Sequence, residues 1–392
     1  MITIPTTKQL FDGILADLQT EYGDGIPLFG KVFLRALAAV QAGKLKLIYL
    51  LVGKVQKNIF IDTADPENSG GTLERFGRVK LNRNPFPAKA GQYTCAVSGS
   101  AGAIIEAETT FKSNDDALNP GKLFILDNDF VFSGTSGSII LRALEAGIDS
   151  KLLVNDELTA TSPIPNVDKT ATVTAETIEP FSAEDLEVYR RKGLDAYRLE
   201  PQGGAASDYR LWASDAQGVQ QSYAYAKTGA SNEINLYVEA TIADSTDGKG
   251  TPSGALLADV ESVVEFDPDT TKPLSERGRR PLGVFEVHYL PITPKLIDIN
   301  IDGFVGLTVP IQTAIFNAIK ATLDITRPFV AGADIVDNKK DIFDINTIIA
   351  TILNVKPGAV FGTITLNVDS VPVSTFTFLN GDIPFLNTIS YT

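Results

Sequence analysis

The sequence predicts a multi-domain α+β protein: N-terminal helices, a β-rich domain, then two α/β sandwich-like domains. Three observations carry that expectation. Apolar residues recur at helical spacing up to about residue 60. From 61 to 180 they alternate in short runs separated by Ser, Gly, Asn and Asp, as strands and turns do. After Pro180 helix and strand signals follow in the order ααββαβ, and the last hundred residues read as a second unit of that kind. With 392 residues, 44% hydrophobic and 21% charged, the chain can bury several cores and lies outside the composition of disordered proteins. The expected domains are 1–60, 61–180, 181–293 and 294–392.

In the first segment Thr6 or Thr7 can cap a helix carrying Leu10, Ile14, Leu15 and Leu18 on one face. Gly23-Asp24-Gly25-Ile26-Pro27 breaks it. A second run, residues 29–55, carries Val32, Phe33, Leu37, Val40, Leu47, Leu50 and Leu51. Its polar face is thin and basic, with Lys31, Arg35, Lys44, Lys46, Lys54 and Lys57. Two such helices alone expose too much apolar surface. They either pack onto the rest of the chain or join a bundle shared with other chains. The apolar stretch 45–55 is interrupted by Lys46, Gly53 and Lys54 and falls short of the ~20 residues that span a bilayer, so no membrane insertion is expected. The first eight residues lack the basic and apolar regions of a secretory signal, which predicts a soluble protein that is not secreted on its own.

A short helix is expected at 72–76. Strands are expected at 93–97, 104–105, 109–111, 122–126, 130–132 and 170–175. Ser182-Ala183-Glu184-Asp185 has the spacing of a capping box, with Asp in its last position. It opens a helix in which Leu186, Tyr189, Gly193 and Tyr197 recur, and Glu187 precedes Arg191 by four. Pro201-Gln202-Gly203-Gly204 ends that helix; the glycines allow a tight reversal because they tolerate positive φ. Ser207 or Asp208 caps the next helix, which carries Tyr209, Trp212, Ala213 and Ala216. Strands at 219–226 and 233–243, a helix opened by Ser253 and a strand at 284–290 complete this domain. The last domain reads as a strand at 295–301, helices at 309–323 and 344–353, and a closing hairpin from 360–368 and 373–379.

The charge balance, 34 basic against 48 acidic residues, gives −14 and argues against general nucleic-acid binding, which needs a positive field. One cysteine (Cys95) excludes an intrachain disulfide and multi-cysteine metal sites, and one histidine (His288) excludes histidine clusters. The low cysteine content fits a reducing compartment. Gly25-Ile26-Pro27-Leu28-Phe29-Gly30-Lys31 starts like a phosphate-binding loop, but Val32 stands where the Ser or Thr must reach magnesium. Neither Gly99-Ser100-Ala101-Gly102 nor Gly134-Thr135-Ser136-Gly137 has the spacing of a nucleophile elbow. His288 reads as a strand residue. The acidic stretches 62–67 and 244–248 lack full calcium-loop spacing and read as solvated turns. No catalytic residue, cofactor or metal is expected. Arg277-Gly278-Arg279-Arg280-Pro281 is either a salt-bridged loop or a docking patch for an acidic partner.

Residues 62–289 resemble the baseplate J-like family, the wedge proteins of contractile phage tails and related injection machines. Four stretches carry the resemblance. Gly70-Gly71-Thr72-Leu73-Glu74-Arg75-Phe76-Gly77, with Leu81-Asn82-Arg83 after it, is similar to a family helix, with Glu74 where Asp is usual. Gly99-Ser100-Ala101-Gly102-Ala103-Ile104-Ile105-Glu106-Ala107 is similar to a family hairpin, with Ile-Glu-Ala-Glu replacing Pro-Ala-Gly. The most specific is Glu184-Asp185-Leu186-Glu187-Val188-Tyr189-Arg190-Arg191-Lys192, followed by Gly203-Gly204 and then Ser207-Asp208-Tyr209-Arg210-Leu211-Trp212. The fourth is Gly278-Arg279-Arg280-Pro281-Leu282-Gly283. Residues 380–386 also look like the usual close of the family.

The resemblance implies a non-enzymatic structural subunit of the baseplate wedge, located in the virion tail and assembled in the bacterial host cytoplasm. It implies pairing with a second copy within each wedge, and contacts with other wedge proteins and with sheath-initiating and hub proteins. C-terminal domains would link wedges into a ring around the hub that opens as the sheath contracts. Signature positions are Arg190, Arg191, Gly203, Gly204, Asp208, Tyr209 and Trp212. The two arginines are expected to pair with acids and Trp212 to pack in a core. Interface candidates are Val32, Phe33, Leu37, Leu47, Leu50, Leu51, Arg279 and Arg280. Linkers near Pro180 and Pro294 would serve as hinges. The competing readings are a tail-associated cell-wall hydrolase and a receptor-binding fibre or spike.

Overall fold

The computed structural model of the protein describes residues 4–22, 28–199 and 203–392. The break expected at 23–27, and Pro201-Gln202, lie outside the described residues. The fold is α+β and multi-domain, and it divides into two compact units. The first combines Met1–Pro85 with Leu186–Tyr197, and the second Phe86–Asp185 with Arg198–Thr392.

In the first unit lie α1 (Thr7–Tyr22), α2 (Leu28–Lys57), α3 (Leu73–Leu81) and α4 (Leu186–Arg198). Thr6 opens α1 through a reciprocal capping box. Its Oγ1 accepts from the Gln9 N–H at 3.2 Å, and the Gln9 side chain accepts from the Thr6 N–H at 2.8 Å. Helix α2 packs along α1 and buries Leu34, Ala38 and Ala42, a stripe with a four-residue period. Ile61, Ala64 and Leu73 form a small core with Tyr189 of α4. Helix α4 starts later than the sequence suggested. Ser182 caps no helix; its backbone N–H is bonded to Asp244 at 2.8 Å. Glu187 pairs with Arg190, three residues on, at 2.9 Å.

The second unit begins with β1 (Gln92–Gly99), β2 (Ile104–Ile105), β3 (Thr110–Ser113), β4 (Leu123–Leu126), β5 (Phe130–Val131), β6 (Ser136–Ala143), β7 (Glu157–Ala160) and β8 (Val167–Ile178). Six of them close an antiparallel barrel in the order β1-β6-β4-β3-β7-β8. Alternate residues point inward, among them Tyr93, Cys95, Val97, Phe111, Phe124, Leu141, Leu158 and Val173, and they form one continuous core. Closure leaves no free edge in this sheet. Strands β6 and β7 were not foreseen. The first opens with Ser136-Gly137-Ser138, which reads as a turn, and the second contributes only Leu158 as a fully buried apolar residue.

The central α/β domain contains α5 (Ala206–Ala213), β9 (Val219–Ala226), β10 (Glu233–Ala240), α6 (Gly254–Glu265) and β11 (Glu286–Pro291). Its sheet order is β11-β10-β9, with β10 antiparallel to β9 and parallel to β11. Parallel pairing requires a crossover, which α6 supplies. Ser253 caps α6, accepting from the Leu256 N–H at 3.0 Å, as the sequence suggested.

The C-terminal domain contains β12 (Thr293–Ile301), α7 (Val309–Asp324), β13 (Ile342–Asp344), α8 (Ile345–Val355), β14 (Ile364–Val368), β15 (Val371–Val373), β16 (Thr375–Thr377) and β17 (Asp382–Tyr391). The main sheet runs β15-β14-β12-β17. The expected closing hairpin is therefore corrected. Strand β14 pairs with the short β15, β16 leaves to pair with β13, and β17 closes the sheet parallel to β12. Pro294 lies inside β12 and is no linker. At the other expected hinge, Phe181 beyond Pro180 is buried in the central core and bridged to Lys89.

Asp344 caps α8, accepting from the Thr347 N–H and hydroxyl, both at 2.7 Å. These bonds to Thr347 hold its carboxyl below the usual carboxylate range. A depressed folded-state value means stability that is present above the ordinary carboxylate pKa and lost as the pH falls through the depressed one. Asp344→Ala is expected to cost about 0.5–2 kcal/mol at neutral pH by denaturant unfolding. That difference should shrink on acidification below about pH 4; a pH-independent difference would show that the charge of the cap contributes nothing.

Two partly buried ion pairs tie the C-terminal domain to the central domain. Arg327 lies 3.0 Å from Glu239, whose side chain is 4% exposed and also accepts from the Tyr223 hydroxyl at 2.6 Å. Arg210 of α5 grips Asp334 with two bonds, at 2.6 and 3.2 Å.

Candidate functional site

The signature residues fall in two clusters. In the first unit, Arg190 holds two backbone carbonyls, Ile61 O and Ala64 O, each at 2.7 Å, besides its pair with Glu187. Tyr189 is 1% exposed and donates to Arg83 O at 2.7 Å, with the Arg83 guanidinium over its ring at 5.6 Å. Gly77 lies against that ring: a Cβ there would sit 2.1 Å from the Tyr189 hydroxyl. Helices α3 and α4 therefore meet across a contact that admits only glycine on one side. Arg191, on the same helix, is half-buried.

The second cluster surrounds the start of α5. Gly203 and Gly204 have φ of 77° and 111°, and a Cβ on Gly204 would strike Pro281 at 2.4 Å. Neither Ser207 nor Asp208 is the cap, because the helix begins earlier, after Ala205. Asp208 instead lies in the first turn and reaches back to accept from the Gly204 N–H at 2.6 Å. Its charge there also complements the helix dipole. Tyr209 is fully buried and meets Trp212 edge to face at 5.1 Å; burial pushes its hydroxyl up to about 12. Trp212 packs half-buried against the central core.

The basic cluster is knitted into the domain. Arg279 pairs with Asp215 at 2.7 Å and with Asp267 at 3.4 Å, and Arg280 pairs with Glu265 at 3.2 Å. The acidic loops are likewise occupied. Asp244 accepts from Ser182 and Thr241, Asp247 from Lys249 and Thr251, and Glu67 pairs with Arg75 and Arg78. Cys95 lies inside the barrel, where burial pushes the thiol up to about 12 and leaves it protonated.

Helix α2 presents a long apolar surface. Val32, Phe33, Leu47, Leu50 and Leu51 are 47–67% exposed, and Leu37 is half-buried. Phe33, Leu37, Val40, Leu47 and Leu51 follow one another at intervals of three, four or seven, the spacing of a coiled-coil seam. The sequence estimate of this segment needs correction in one respect. The helix runs unbroken for 30 residues, and its part Lys31–Lys57 is long and apolar enough to cross a bilayer by length and composition.

Sequence reasoning missed Arg327, Glu239 and Asp334. Their partners lie 88 and 124 residues away in the chain, so no local spacing announces them.

The architecture is a closed barrel followed by two α/β domains joined through ion pairs. Residues 201–291 match the Baseplate J-like central domain, so the resemblance to the baseplate J-like family stands, carried by this domain. A curated relative, "Putative protein JayE" of Escherichia coli (strain K12), is 38% identical over 45 residues, which is 12% of this chain and 17% of that protein's length. Among solved structures, the chain is similar to one in the cryo-EM structure of the anti-feeding prophage baseplate, 6-fold symmetrised. The identity is 12% and the TM-score 0.40, over 99% of this chain and 100% of that one.

Proposed function

We propose that this chain is a structural, non-enzymatic subunit of a baseplate wedge in a contractile phage tail or related injection machine. The observation that carries the reading is the match of residues 201–291 to the Baseplate J-like central domain. In this reading a second copy pairs with it in each wedge, and other wedge, sheath-initiating and hub proteins are its neighbours. The ring of wedges relays the change that triggers contraction. The unpartnered seam on α2 supports assembly with other chains, and in this reading it enters a helical bundle rather than a membrane. Assembly takes place in the host cytoplasm.

Two measurements test this. Electron microscopy of particles made without the gene should show missing tails or unjoined baseplate fragments, restored by complementation. Complete baseplates would overturn the reading and favour a fibre or a lytic role. Leu47→Lys with Leu51→Lys should leave the unfolding free energy of the isolated chain within about 0.5 kcal/mol, since both side chains are exposed. The same pair should abolish incorporation into particles; normal incorporation would sink the bundle role of α2.

A further inference from the structure

His288, the only histidine of the chain, stands at the start of the parallel pair β10/β11. Glu233 and Glu286 are register partners across that pair, and His288 follows Glu286 by two residues and so shares its face. His288 Nε2 lies 2.7 Å from Glu233 Oε2 and 3.9 Å from Glu286 Oε2. One ligand atom from each of the three residues lies within 4.8 Å of the others.

A cation already occupies this focus. Lys227, just past the end of β9, places Nζ 2.6 Å from Glu233 Oε2 and 2.9 Å from His288 Nε2. These contacts make opposing demands on one nitrogen. The carboxylate oxygen requires a proton on Nε2, and the ammonium requires a lone pair there. One contact is therefore mismatched whichever tautomer is present. A divalent ion in place of the ammonium would accept lone pairs from Nε2 and both carboxylates together and remove the conflict.

We propose that Glu233, Glu286 and His288 form a three-ligand site for a divalent transition metal, with Zn²⁺ the best match. Imidazole with carboxylates suits zinc, whereas calcium and magnesium prefer all-oxygen sites. Two carboxylates and a neutral imidazole balance the charge of the ion, and Lys227 is released to solvent. Its side chain is 36% exposed and that of Glu286 is 52% exposed, so both can move as the ligands close to about 2.0–2.2 Å. A fourth position stays open to water. The ion would pin β11, an edge strand, to β10.

The test uses the full-length chain, stripped with chelator and titrated with Co²⁺ as a spectroscopic probe, then with Zn²⁺ in competition. One ion per chain is expected, with a tetrahedral Co²⁺ spectrum displaced by Zn²⁺. Affinity should fall at least tenfold in His288→Ala and in Glu233→Gln. It should rise several-fold in Lys227→Ala, which removes the competing cation and shows that a loss elsewhere is not misfolding. No stoichiometric binding by the parent chain, or equal binding by parent, His288→Ala and Glu233→Gln, would overturn the site and assign any bound metal to scattered surface carboxylates.

Discussion

Arg327→Met is expected to destabilise the second unit by about 3–5 kcal/mol, the usual effect of stripping one partner from a buried pair. Glu239 is almost wholly buried, and Arg327 meets both of its carboxylate oxygens, at 3.0 and 3.2 Å. The remaining bond to Glu239, from the Tyr223 hydroxyl, cannot replace a full positive charge. Burial and the neighbouring Glu239 push that hydroxyl well above the ordinary tyrosine range, so it stays a neutral donor. Arg327 also donates to Leu323 O and Thr326 O at the end of α7, so its loss frees the helix end as well. The double variant Arg327→Met with Glu239→Leu should recover most of the loss, because apolar replacement of both partners removes the uncompensated charge. Urea unfolding of the three variants measures this. A single-variant loss under about 1 kcal/mol would show that water already reaches the pair.

Gly77→Ala is the second large effect, and its sign is diagnostic. In an open helix alanine stabilises by about 0.5–1 kcal/mol over glycine. At Gly77 the added methyl would stand 2.1 Å from the Tyr189 hydroxyl and 2.3 Å from its Cζ. The ring cannot retreat easily, since Tyr189 is buried and its hydroxyl is bonded to Arg83 O. Overpacking of this kind typically costs about 1–3 kcal/mol. The control is Gly13→Ala in α1, where a Cβ meets nothing within 4 Å and a gain is expected. Thermal melting of both variants decides the matter; a Gly77→Ala chain as stable as Gly13→Ala would mean that α3 and α4 do not pack as described.

The elements legible in the sequence were those with local signals. Thr6 before α1, Ser253 before α6, and the alternation around Tyr93 and Cys95 each announce structure within a few residues. Strand β17 escaped because its partner β12 lies some 90 residues earlier and no turn joins them. The start of α4 escaped because Ser182 mimics a cap while its backbone is held by Asp244. At the signature, the residue types were readable, but their geometry was not. Asp208 looked like a cap and is a first-turn acceptor for Gly204. Arg279 and Arg280 could be seen as a charged run; only the fold reveals that Asp215, Asp267 and Glu265 neutralise them.

The first unit is built from two separated stretches of chain, with α4 arriving a hundred residues after α3 ends. During synthesis α3 and the segment before it must therefore wait for the whole barrel to emerge before their core can close around Tyr189. At about 5–20 residues per second that interval is on the order of 5–20 s. Throughout it, the apolar side of α2 and the unfilled seat beside Gly77 face solvent, open to early contacts with other chains. The timing of translation thus decides whether this unit first meets its own last helix or a stranger.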